Sequence, residues 1–91
     1  MKSAYELAME RLGGDSNPLT DEQKKKISHI QQKMEAKLAE QAILFDQRMA
    51  EAAAQMDGET LDRLKENRET ELRRIRDQAE ADKDQVRTEK A

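Results

Sequence analysis

The chain has 91 residues, 41% of them charged, yet 17 Lys plus Arg against 20 Asp plus Glu leave a net charge of only −3. Of its 32 hydrophobic residues 12 are Ala, and Leu, Ile, Val and Phe together number 14. That share, about 15%, lies below the ~20% usual for globular packing, and the low net charge argues against disorder. What remains is long, narrow helices rich in Ala, Glu, Lys and Arg. The absence of Cys excludes disulfides, thiol chemistry and Cys-ligated metals. No apolar run nears the ~18–20 residues that span a bilayer. The start MKSAYELAMERL lacks the apolar core of a secretory signal. A cytoplasmic protein that does not enter membranes is therefore expected.

Residues 1–12 place Met1, Tyr5, Ala8 and Leu12 at spacings of four, three and four, one face of a short amphipathic helix. Three turns are too few to be stable alone in water, so the segment orders only against something. Residues 13–19 follow as a linker, Gly13-Gly14-Asp15-Ser16-Asn17-Pro18 being rich in turn formers.

Thr20-Asp21-Glu22-Gln23 reads as a helix start. Thr20 and Gln23 have the spacing of a capping box, and Asp21 and Glu22 suit the positive first turn. With no breaker before Gly58, a helix of about 36 residues and about 54 Å is predicted over 20–56. Its seam is Ile27, Ile30, Met34, Leu38, Ala42, Phe45, Met49, Ala52 and Met56. Ile27, Leu38 and Met49 recur every eleven residues, as do Met34, Phe45 and Met56, a period that favours nearly straight association.

Asp57-Gly58-Glu59-Thr60 interrupts the pattern and is read as a turn over 57–60. A second helix over 61–89 then shows one face of Leu61, Leu64, Arg68, Leu72, Ile75, Ala79, Lys83 and Val86. Folding the chain between Gly58 and Glu59 sets Met56 against Leu61, Met49 against Arg68, Phe45 against Leu72, and Met34 against Lys83. Mirrored stripes are what an antiparallel hairpin requires. One continuous rod is the rival, since both stripes have similar periods. Arg68 and Lys83 can lay their aliphatic stems on the seam while their charged ends reach water.

The first long arm carries a second stripe, Ala36, Ala39, Ile43, Ala50 and Ala54, with Leu44 beside it. It reads either as a self-association face or as Ala placed for helix propensity. A lone two-helix hairpin has little core to support it, and pairing into a dimeric four-helix bundle is the simplest remedy.

No constellation for catalysis emerges. His29 is the sole His and has no partner at metal-ligand spacing. The abundant carboxylates have no concave site to perturb them, and no phosphate loop or nucleophile elbow is present. The chain is read as a non-enzyme without cofactor or metal. Lys24-Lys25-Lys26 and Arg73, Arg74 and Arg76 are its basic runs, but a pI near 5.2 and the lack of stacking aromatics argue against nucleic acid. Glu69, Glu71, Asp77, Glu80 and Asp82 surround the Arg cluster. Residues 1–12 are read first as folding back on the Ala36–Ala54 face of their own hairpin or of a dimer mate, and second as binding a foreign protein's groove through Tyr5, Ala8, Met9 and Leu12.

The start Lys2-Ser3-Ala4-Tyr5-Glu6-Leu7-Ala8, the Gly/Pro linker, and LTDEQKKKI before a Glu/Lys/Ala helix resemble a family of small bacterial helical-hairpin proteins. The resemblance implies a hairpin with a Gly-Asp-type turn and carries no catalytic or binding residues. Here the turn reads Asp57-Gly58-Glu59, the reverse order.

The expectation is thus an all-α, coiled-coil-like hairpin over 20–91 with a short N-terminal helix. Its role is read as a self-associating interaction or scaffolding module, a dimer being favoured. Two alternatives are a regulator that binds a larger machine through residues 1–12, and an RNA- or ribosome-associated factor.

Overall fold

A computed structural model describes residues 19–89, which form two packed α-helices and no strand. Helix α1 spans Asp21–Ala54 and α2 spans Gly58–Thr88. They run antiparallel, giving an elongated molecule with principal extents of 59 × 28 × 20 Å. The continuous rod is thereby excluded. Residues 1–18, and with them the expected N-terminal helix and its candidate partner residues Tyr5, Ala8, Met9 and Leu12, lie outside the described residues.

Helix α1 begins with the capping box anticipated from Thr20 and Gln23. The Gln23 amide donates to Thr20 Oγ1 at 3.1 Å, and the Thr20 amide donates to Gln23 Oε1 at 2.9 Å. Two N-terminal amides that the helix itself leaves unpaired are satisfied in this way. Helix α2 begins at Asp57, whose carboxylate accepts from the Thr60 amide at 3.1 Å and from Thr60 Oγ1 at 2.7 Å. These bonds to the charged form hold the Asp57 carboxyl below its ordinary range.

The turn corrects the sequence reading. It occupies 55–57 rather than 57–60, and Gly58 is already helical. The Met56 amide donates to the Ala53 carbonyl at 3.1 Å and the Asp57 amide to the Ala52 carbonyl at 2.9 Å. That pair of bonds is a Schellman motif with Met56 at the left-handed position, φ 57°. Met56, expected in the hairpin core, is instead 91% exposed, because the chain reverses direction at that residue.

The earlier turn also moves the register. Lys83 donates to Gln31, Arg68 pairs with Asp46, and Lys26 pairs with Glu89. The first two pairs are symmetric about Asp57, not about the junction of Gly58 and Glu59. Lys83 and Arg68 therefore meet residues one helical turn before their expected partners, Met34 and Met49.

The core is thin. Phe45, Ala52, Leu72, Ile75, Ala79 and Val86 are its buried apolar residues, and no side chain among the described residues falls below 2% exposure. Ile27, Ile30, Met34, Leu38 and Met49 of α1, with Leu61 and Leu64 of α2, line the same seam half-buried. Two cylinders in contact along one line leave such a seam open on both flanks. Long polar side chains partly close it: Lys83 lies across it with its side chain 12% exposed and its ammonium 3.8 Å from Glu80. Arg68 Nε is shielded from solvent 3.3 Å from Asp46 Oδ1, an ion pair without hydrogen-bond alignment.

The open end of the hairpin is stitched by one residue. Gln23 is buried, and its Nε2 donates to the Val86 carbonyl and to the Glu89 carbonyl, both at 3.0 Å. Both amide hydrogens of the side chain thus satisfy carbonyls at the C-terminus of α2, while its oxygen caps α1. Lys26 adds an exposed ion pair to Glu89 at 3.1 Å.

Candidate functional site

Two surface features stand out: an apolar strip on α1 and an open groove between the helices. The strip is formed by Ala36, Ala39, Ile43, Leu44, Ala50 and Ala54, all exposed. Ile43 is 58% exposed and Leu44 39%. Helical spacings of three, four and seven put Ala36, Ala39, Ile43, Ala50 and Ala54 on the side away from the seam. Leu44 stands on the flank between that strip and α2. All six remain exposed in the hairpin.

The groove runs along the half of the hairpin nearer its open end. Its floor is Ile30, Met34, Ile75 and Ala79, and Lys33, Lys37, Arg74 and Asp82 stand along its edges. It continues past His29 and Ile30 toward Val86, where the lining is nearly all carbon. It is open along one side, so it can hold apolar side chains but does not enclose a small molecule. His29 lies exposed at its edge. No cluster of three or more His, Asp or Glu placed to hold a metal occurs among the described residues.

Charges on the two helices divide into paired and unpaired sets. Arg74 donates to Glu71 twice, at 2.6 and 3.1 Å, and this bidentate bond lowers the Glu71 pKa and raises that of Arg74. Arg87 reaches Asp84 at 2.5 Å and Glu80 at 3.6 Å. The cation nearest the middle of the Arg73–Arg76 cluster is thus engaged by its own helix. By contrast, Lys37, Glu40, Arg48 and Glu51, around Leu44, enter no ion pair among the described residues.

Sequence reading found the strip but not the groove, whose walls come from both helices and depend on their register. It identified the Thr20–Gln23 box yet not the reach of Gln23 to α2, since nothing local marks that side chain as bridging. It also missed the charge pattern about Leu44, although spacings of four and seven residues carry it. No family model matches the chain, and comparison with curated proteins and with solved structures finds no match.

Proposed function

We propose that this protein is a non-enzymatic, cytoplasmic helical scaffolding module that works by associating with itself, as a dimer of hairpins forming a four-helix bundle. The observation that carries the reading is the exposure of Ile43 at 58%, beside Leu44 and the Ala stripe, on a hairpin without a fully buried side chain. Small residues let a second helix approach closely, and a branched apolar residue among them supplies buried area. Pairing covers this strip and adds the core that two helices alone lack.

The reading is tested by sedimentation equilibrium of the full chain. A dimer is expected, and Ile43→Asp is expected to weaken it at least tenfold, about 1.4 kcal/mol, by placing a charge in the contact. An unchanged association constant in the variant would remove this strip from the interface.

A further inference from the structure

The charges about Leu44 follow an ordered pattern along α1. Lys37 lies seven residues before Leu44, Glu40 four before, Arg48 four after and Glu51 seven after. Steps of four and seven return to the same side of an α-helix, so all five residues share one face. Along α1 the sequence of charge is plus, minus, apolar, plus, minus. That order is antisymmetric about Leu44, and none of the four charges has an ion-pair partner among the described residues.

Antisymmetry has a geometric consequence. If a second α1 lies antiparallel against this face with a two-fold axis at Leu44, residue 44 − n of one copy meets residue 44 + n of the other. Lys37 then meets Glu51 and Glu40 meets Arg48, each twice by symmetry, and the two Leu44 side chains meet on the axis. In parallel alignment every charge would meet its like, which is destabilising. Leu44, 39% exposed, supplies the apolar contact at the centre of this face, Ile43 lying about 100° further round the helix; the charges supply orientation and register, as flanking charges do in coiled coils.

We infer that a second copy of this chain packs antiparallel along the Leu44 face of α1, with Lys37 against Glu51 and Glu40 against Arg48 across a two-fold axis. This rests on the self-association proposed above and places the two-fold contact on the Leu44 flank of the strip. The contact is isologous, so it closes at two copies and does not propagate.

The test uses full chains in charge-reversed pairs, read by sedimentation equilibrium at low salt. Glu40→Lys with Glu51→Lys makes the face wholly basic, and Lys37→Glu with Arg48→Glu makes it wholly acidic. Each double variant alone is expected to associate about a hundredfold more weakly than the wild type, and their equimolar mixture to recover to within about tenfold. All four positions are exposed, so circular dichroism at 222 nm is expected to be unchanged for each variant. A second, independent readout uses the lack of native cysteine. Leu44→Cys places one thiol beside the axis and is expected to form an interchain disulfide under mild oxidation, while Glu66→Cys on α2 is expected not to.

A wild-type chain that stays monomeric at all concentrations would overturn self-association and this interface together. A wild-type dimer indifferent to both charge reversals would overturn this interface and leave self-association standing. Loss in the single double-variants without recovery on mixing would overturn the antiparallel register.

Discussion

Met56 and Gly58, on either side of Asp57, are in each other's natural places. Met56 adopts φ 57°, where an L side chain crowds the following carbonyl, while Gly58 sits in the first turn of α2 without positive φ. A Cβ at Gly58 would meet nothing within 4 Å. The paired substitution Met56→Gly with Gly58→Ala keeps the glycine count constant, so the unfolded-state entropy terms nearly cancel. Relief of left-handed strain and better helix propensity remain, and thermal unfolding is expected to show a gain of about 1–2 kcal/mol. Asp57 gives a pH dependence of known sign. Its carboxyl pKa is lowered in the folded state, chiefly by the Thr60 hydroxyl and then by the Thr60 amide. Its stabilising effect is therefore fully present above the unfolded carboxylate range and lost as pH falls through the folded pKa. Unfolding curves recorded from neutral into acid pH are expected to lose part of their slope in Asp57→Asn, which keeps an oxygen for the Thr60 amide but cannot titrate. At this scale the capping box was legible because its bonds are local. The exchange of roles between Met56 and Gly58 was not, since glycine is the usual left-handed residue and no local signal marks a methionine for that task.

At the scale of the helices, stability is divided between a thin apolar seam and the ends. The seam pattern reads clearly in both arms, and most of its members do lie between the helices: Phe45, Leu72, Ile75 and Val86 buried, Ile27, Ile30, Met34 and Leu38 half-buried. The register was less accessible. A stripe with a period near 3.6 matches its mirror almost equally well after a shift of one turn, so the position of the Schellman turn decides it. Gln23 then becomes the closing contact of the open end, holding the Val86 and Glu89 carbonyls. Gln23→Ala removes both donors and the return bond to Thr20, and is expected to cost about 1–3 kcal/mol. Hydrogen exchange checks the location of the loss: amides in the first turn of α1 and the last turn of α2 are expected to lose protection while those around Phe45 and Leu72 keep theirs.

For the whole molecule, the decisive property is shape. A body 59 Å long and 20 Å in its least dimension has much surface for its volume, and among the described residues no side chain is entirely removed from water. No described helix is long and apolar enough to cross a membrane. A second copy is the proposed remedy for the missing core, and mass action makes it visible in heat stability. The midpoint of thermal unfolding is expected to rise with protein concentration in the wild type and to be flat in Ile43→Asp. A midpoint independent of concentration in the wild type would show that the hairpin is sufficient alone.

Sequence alone determined the composition class, the helical character of both arms, the Thr20 start, the apolar seam and the strip at Ile43 and Leu44. Each of these is written in spacings of three, four, seven or eleven residues, or in side chains that bond their own backbone. Tertiary structure alone decided where the chain turns, which residue leaves the core there, which positions face each other, and that Gln23 joins the two ends. Those features arise from the fit between two helices of similar period, and a periodic stripe specifies a face far more strongly than it specifies a position along that face.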